Sequence, residues 1–239
     1  MIGITFALPS ESADLVRRLS NSRRDGDLLL GKIDPPSATL RRAGNGEVAI
    51  VHTGVGAKHC DERLEILLHK ARPELVISAG LAGAVTDQLS IGDLILAENF
   101  SDPQLLASAQ RILRDARPHT AKLFTSTSII DSVSERNEIA RASGAAAVDM
   151  ETGAMVGGCN AHGIPLLSLR AISDTPSQPF PVPPRVLFDV ELQRTSFGRL
   201  FAYLFRHPAS IAGLLSFSRR IARVRANLTE AIVALVREL

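Results

Sequence analysis

The chain has no tryptophan, one tyrosine and two cysteines in 239 residues. Cys60 and Cys159 stand far apart and outside any C-x-x-C spacing. That excludes a disulfide framework, a zinc ribbon and a thioredoxin-type redox site. Two buried thiols in a reducing cytoplasm are expected instead. With so few aromatic rings there is no platform on which bases could stack, so a nucleic-acid partner is not expected. No apolar run approaches the length of a membrane span. The apolar opening, Met1 to Leu8, has no basic lead and meets Pro9 and Glu11 at once, so it does not read as a signal peptide. A helix-opening G-x-G-x-x-G and a G-K-[ST] loop are both missing, which removes the dinucleotide and phosphate-loop fingerprints.

What is present is an ordinary globular composition, 45% hydrophobic and 22% charged, sufficient for one sizeable core. Net charge is only +2, yet it is unevenly spread. From Arg194 onward there are eight Arg against Glu230 and Glu238, so the remainder holds 19 basic and 23 acidic residues. Six of the nine Phe lie after Pro179. A slightly acidic body with a basic, Phe-rich tail is the first asymmetry to explain.

Apolar stretches of strand length alternate with helical spacing. Strands are expected at residues 2–8, 28–33, 39–43, 47–53, 75–79, 123–126, 145–148 and 165–172, and a turn and strand over residues 91–97. Helices are expected at residues 12–19, 57–71, 104–115 and 152–162, after a capping box at Ser132 to Glu135 as far as Ala142, and in the tail as two or three helices, the last over residues 210–238. Residues 21–27 read as a polar turn, residues 80–84 as a small-residue loop, and Asn45-Gly46 as a hairpin turn. Residues 175–184, rich in Pro, read as a loop over the site. This alternation predicts an α/β fold: a single domain with a mostly parallel, mixed central sheet flanked by helices. Residues 1–185 form the core and residues 186–239 a helical C-terminal extension packed on the same domain.

Three acids fall at or near the carboxyl ends of strands, where ligands bind in open α/β sheets. Glu11 follows the first strand. Asp149 and Glu151 flank Met150 after the apolar run Ala145 to Val148. Asp174 closes Arg170-Ala171-Ile172-Ser173-Asp174. Gly54-Val55-Gly56, Gly80-Leu81-Ala82-Gly83 and Gly92-Asp93 also follow strands and allow close approach of backbone N–H groups. Together they outline one cleft. Taken alone, Asp149 and Glu151 also fit a helix N-terminus with acids set against the dipole.

A carboxylate can accept from two neighbouring hydroxyls, as Glu151 would from a ribose. A glycosidic bond to a purine breaks through an oxocarbenium-like transition state, and the leaving base must be protonated or hydrogen-bonded. Asp174 suits the acid and Glu11 suits a base orienting water.

At this point the chain resembles the nucleoside phosphorylase and nucleosidase superfamily. Val148-Asp149-Met150-Glu151 is similar to its V-E-M-E, and Arg170 to Asp174 matches its R-A-I-S-D. The Gly54-Val55-Gly56, Ala82-Gly83 and Gly92-Asp93 segments fall in the family's order, and Glu11 matches the early acid of the nucleosidase branch. The resemblance implies catalysis by Asp174 and Glu11. It implies substrate contacts from Glu151, Met150, Asp149, Ala82, Gly83, Arg170, Ser173 and Ile129, and a nucleophile or phosphate loop at Gly54, Gly56 and Gly80. It also implies a homodimer or larger homo-oligomer, with no metal and no organic cofactor.

There are departures. Ser78-Ala79-Gly80-Leu81 lacks the Arg with which hexameric phosphorylases grip phosphate. Leu81 stands where methylthioadenosine/S-adenosylhomocysteine nucleosidases have Ser. Ser128-Ile129-Ile130 occupies the region of the family's base-stacking Phe. Water and inorganic phosphate both remain open as nucleophile. The tail, with Phe180-Pro181-Val182-Pro183-Pro184 and His207-Pro208, resembles hopanoid-associated phosphorylases, which act on an adenosyl group carried by a polycyclic lipid. In it Phe197, Leu200, Phe201, Leu204 and Phe205 form one apolar helical stripe. Two further readings stay open: a nucleoside-binding module without turnover, and a membrane-surface protein on the same fold.

Overall fold

The computed structural model describes residues 1–35, 46–183, 186, 188–189, 194–195, 203, 205–207 and 210–239. The elements are β1 (Ile2–Phe6), α1 (Pro9–Val16), β2 (Ser20–Asp25), β3 (Leu28–Lys32), β4 (Glu47–His52), α2 (Ala57–Ala71), β5 (Leu75–Ala84), β6 (Leu94–Ala97) and α3 (Pro103–Ile112). They continue with β7 (His119–Ala121), β8 (Leu123–Thr125), α4 (Val133–Ser143), β9 (Ala147–Asp149), α5 (Thr152–Ala161), β10 (Leu166–Asp174), the short β11 (Phe188–Asp189) and β12 (Arg194–Thr195), and α6 (Ser210–Glu238).

Ten strands form one mixed sheet in the order β2-β3-β4-β1-β5-β10-β6-β7, with β9 joining β5 to β8. The central neighbours β4, β1, β5 and β10 run parallel. Their residues are buried nearly throughout, as parallel strands covered on both faces should be. One face packs Ile4, Ile50, Ile77 and Leu169 against α1, α3 and α6. The other packs Val51, Val76 and Leu166 against α2 and α5. Those two helices lie so close that a Cβ on Gly158 would come within 2.5 Å of Leu64. Val224, Leu228, Ala231, Ile232, Leu235 and Val236 are buried at helical spacing, so the second half of α6 belongs to the main core. Cys60 and Cys159 are free and buried, and burial pushes both thiols up to about 12.

Several boundaries differ from expectation. Residues 20–25 are strand β2, not a polar turn: the backbone pairs with β3 while nearly every side chain stays exposed, and an edge strand needs no apolar alternation. Residues 80–84 are not a loop. They prolong β5, because small residues let it pair on both sides, with β10 and with β9. Helix α1 begins at Pro9, earlier than expected, since Pro at the first helical position lacks only an N–H that would be unpaired anyway. Helix α3 stops at Ile112 and is followed by a 3-10 turn, Arg114–Ala116. The strand expected at 39–43, Asn45 of the expected hairpin turn, and Phe197, Leu200, Phe201 and Leu204 of the tail stripe lie outside the described residues.

Candidate active site

The carboxyl ends of β1, β4, β5, β9 and β10 surround a cleft of about 320 Å³. Glu11, Glu151 and Asp174 all line it, together with Met150, Asp149, Ala82, Gly83, Ile129 and Ser173. Leu8, Val148 and Phe180 add apolar walls. The Pro-rich segment therefore does reach the cleft, through Phe180. A smaller compartment of about 10 Å³ opens beside it, lined by Glu11, Thr53, Ser78, Gly80, Glu151 and Arg170. That is about the least space that can hold one water molecule.

Glu11 sits in the first turn of α1. Its Oε2 accepts from Leu8 N (3.0 Å) and its Oε1 from Leu81 N (3.2 Å). Burial raises its pKa above the usual carboxylate value, although these N–H groups and the Arg170 charge pull the other way. Glu151 stands at the N-cap position of α5 without a side-chain capping bond, and it accepts from Gly56 N at 3.1 Å and from Met150 N at 3.3 Å. Burial, and then the charge of Asp149, push it up to about 7. Gly56 holds φ = +89°, a conformation that favours glycine and aims its N–H at Glu151. Gly54, also at positive φ, ties its N–H to Ala7 O at 3.0 Å and serves the turn.

Asp149, on the wall of the cleft, and Arg170, on that of the smaller compartment, form a buried ion pair. Asp149 Oδ2 meets Arg170 Nε at 3.0 Å and accepts from Thr152 N at 3.2 Å, while Oδ1 accepts from Thr125 Oγ1 at 3.1 Å. The remaining Arg170 donors go to Ser78 O (2.6 Å), Leu169 O (3.0 Å), Ser78 Oγ (2.9 Å) and Thr152 Oγ1 (2.6 Å). All five N–H groups of that guanidinium are thus taken inside the protein. This network fixes the turn that carries Glu151.

Asp174 ends β10. Ser173 Oγ lies 2.6 Å from its Oδ1, and Oδ2 forms a buried ion pair with Arg136 of α4. Both carboxylate oxygens of the expected acid are engaged before any base arrives. Arg136 escaped the sequence reading, because one Arg near the start of a charged helix looks like a solvated residue. It is 2% exposed.

Gly92-Asp93 does not reach the cleft as expected. Gly92 lies beside α3 and α6 on a separate surface pocket, because the β5–β6 connection turns away from the carboxyl ends.

The family model of the phosphorylase superfamily matches residues 1–105 and 98–202. The 5'-methylthioadenosine/S-adenosylhomocysteine nucleosidase of Staphylococcus haemolyticus (strain JCSC1435) is 25% identical over 204 residues, spanning 73% of this chain and 86% of the relative. The corresponding nucleosidase of Neisseria meningitidis, solved with methylthio-immucillin-A, superposes with a TM-score of 0.73 at 15% identity, covering 100% of this chain and 99% of that one. Native futalosine hydrolase of Helicobacter pylori gives 0.69 at 15% identity, covering 100% and 97%. At such identities the superpositions establish the fold.

Proposed function

We propose, for a chain that belongs to the phosphorylase superfamily, that it cleaves the N-glycosidic bond of an adenosine-like purine nucleoside and releases the base. The observation that carries this reading is the pairing of two compartments. The cleft is nucleoside-sized, and the small pocket between Glu11, Glu151 and Arg170 fits one water. The relatives named nucleosidases support the same class of reaction.

In this reading the purine lies between Phe180, Val148 and Ile129 with its outer edge at Asp174 and Arg136. Met150 packs on the ribose, and Glu151 accepts its 2′- and 3′-hydroxyls. The C1′–N9 bond breaks with its electron pair passing to the purine. Water in the small pocket adds to C1′ and gives a proton to Glu11, whose burial suits it to hold one. The base end stabilises the departing purine. Asp149 and Arg170 act as positioning residues. Backbone at Ala82, Gly83 and Gly80 forms the floor, and Ser173 orients Asp174.

Product analysis with adenosine-type substrates, with and without phosphate, tests it. Free ribose in both conditions is the expected outcome. Ribose 1-phosphate would overturn the assignment of water, and no release of purine would overturn the reading as a whole.

We further propose that the tail sets the environment of the 5′ substituent. Phe180, at the cleft, packs against Phe217 of α6 with ring centroids 5.1 Å apart. Ile211 and Leu215 of the same helix are 47% and 57% exposed, and Phe205 is 86% exposed. Residues 210–229 carry four Arg and no acid. An apolar, basic helix face continuous with the cleft suits docking on anionic lipid and a lipid-linked adenosyl substrate. No helix among the described residues is long and apolar enough to cross a membrane, and the contact we propose is a peripheral one. Co-sedimentation with anionic vesicles at low salt, weakened at high salt, is expected, and absence of binding at both would overturn it. A homodimer or larger assembly, expected from the family resemblance, is read by light scattering.

A further inference from the structure

At the other end of the sheet, away from the cleft, two imidazoles and a carboxylate converge. Glu65 and His69 stand one turn apart on α2 and share a face of that helix. His162 occupies the C-cap of α5, just ahead of β10. The close approach of Gly158 to Leu64 brings the later turns of the two helices together. His162 Nε2 lies 2.9 Å from Glu65 Oε1 and 3.1 Å from Oε2, and His69 Nε2 lies 3.0 Å from Oε2. The two rings meet edge to face with centroids 5.4 Å apart. All three ligand atoms fall within 4.8 Å of one another, and among the described residues this is the one group of three or more His, Cys, Asp or Glu side chains so placed.

We propose that Glu65, His69 and His162 bind one divalent ion of the zinc type, which ties α2 to α5. A surface Glu and His four residues apart on a helix contribute little stability and need no second imidazole. Here a side chain 97 residues further along the chain brings one to the same carboxylate. Zinc bonds of about 2.0–2.2 Å in a tetrahedral site hold neighbouring ligand atoms roughly 3.3 Å apart. The nitrogen–oxygen separations of 2.9, 3.0 and 3.1 Å fall just under that. The donor set chooses the metal. Mg²⁺ and Ca²⁺ take oxygen ligands, whereas imidazole suits zinc and its neighbours. Three protein ligands leave a fourth position, which water fills at this partly exposed site.

The ion takes no part in the cleavage proposed above. It acts on the two helices. Helices α2 and α5 already meet at their N-terminal ends, where Gly56 N donates to Glu151. An ion between Glu65, His69 and His162 joins them again about 15 Å further along α5. The pair is then held at both ends. Folding alone brings His162 to the two ligands of α2, so the unfolded chain offers no such site. Binding therefore stabilises the native protein by mass action.

Calorimetric titration of the full chain, first stripped of metal by a chelator, with Zn²⁺ alone tests this. One ion per chain is expected. His69→Ala and His162→Ala should each weaken binding by at least about 10- to 100-fold, since loss of a ligand costs no less than loss of an outer-shell partner. His119→Ala removes a surface His paired with Asp93 elsewhere and should leave binding unchanged. Zn²⁺ at about 100 times its dissociation constant should raise the Tm of the wild type by about 5–10 °C, and that of His162→Ala by half of that or less. Mg²⁺ at the same concentration should do neither. Amide exchange should slow together in the last turns of α2 and α5 when Zn²⁺ is present. All three His side chains are partly exposed, so the variants should fold, and an unchanged far-ultraviolet spectrum checks that they do. A wild type that binds Zn²⁺ more weakly than about 100 μM overturns the proposal. So does binding that survives intact in either His69→Ala or His162→Ala, or that His119→Ala weakens just as much.

Discussion

Replacing Glu151 with Gln should make the protein more stable at pH 8 while lowering its activity. The carboxyl is pushed from 4.5 up to about 7, first by burial and then by the charge of Asp149, with the Gly56 N–H opposing. That rise corresponds to about 3 kcal/mol against the ionised form. The side chain keeps a partly open face on the cleft, so solvent screening brings the expected net effect to about 1–3 kcal/mol. Because the folded value lies above the unfolded one, the native protein binds the proton more tightly between pH 4.5 and about 7. Stability falls as pH rises through that window, and the contribution is lost above it. Gln has nearly the same shape, keeps an acceptor for Gly56 N and cannot ionise. At pH 5 the two chains should unfold at nearly the same urea concentration. At pH 8 the variant should gain, at about 2–4 °C in Tm per kcal/mol for a chain of this size. Whatever pH dependence the variant retains in this range includes that of Glu11, also raised by burial. Activity falls because an amide offers one uncharged acceptor oxygen, shared with Gly56 N, where the carboxylate offers two charged ones. A variant less stable than the wild type at pH 8 would refute the reasoning, since the carboxylate would then gain more from its partners than burial costs it.

Three further outcomes follow from the same geometry. The wild type should turn over ribonucleosides about 10- to 100-fold more efficiently than 2′-deoxynucleosides, because Glu151 loses a charge-assisted hydrogen bond, and equal kcat/KM for the two would count against its role. Asp174→Asn should lower turnover by roughly 10²–10⁴ with the far-ultraviolet spectrum unchanged, and near-wild-type rates would remove Asp174 from the base end. Gly83→Ala would place a Cβ 3.2 Å from Asp174 Oδ2 and 3.3 Å from Arg136 Nη1. It should reduce adenine affinity about tenfold or more by displacing that pair, which calorimetry on the variant reads directly.

The fold class was legible because β1, β4, β5 and β10 are apolar runs bounded by Gly, Pro or acids, the pattern of strands buried on both faces. Strand β2 was not, since Ser20–Asp25 is held by its neighbour's backbone and carries no side-chain signal. The far end of β5 was hidden for the opposite reason. Gly80, Ala82 and Gly83 look like a loop, yet their small size is what lets β9 and β10 approach from either side. Composition alone reads small residues as freedom, and here they mark crowding.

The two buried arginines show where sequence reasoning about a site stops. Arg170 sits inside a recognisable motif and so reads as a ligand contact, while Arg136 sits among Glu135, Asn137 and Glu138 and reads as surface. The two differ in how much of each guanidinium's hydrogen-bonding capacity the protein itself consumes. Arg170 spends its five N–H groups on Asp149, Ser78, Leu169 and Thr152, and in doing so locks the strand end from which Glu151 projects. Arg136 lies on the cleft, paired to the carboxylate at the base end, with acceptors found for three of its five. The first guanidinium is fully satisfied within the protein, and the second stands on the cleft with fewer of its donors engaged among the described residues. That distinction lies in the partners each side chain reaches across the sheet, at separations of 38 and 52 residues for Asp174 and Ala84, which no local spacing encodes.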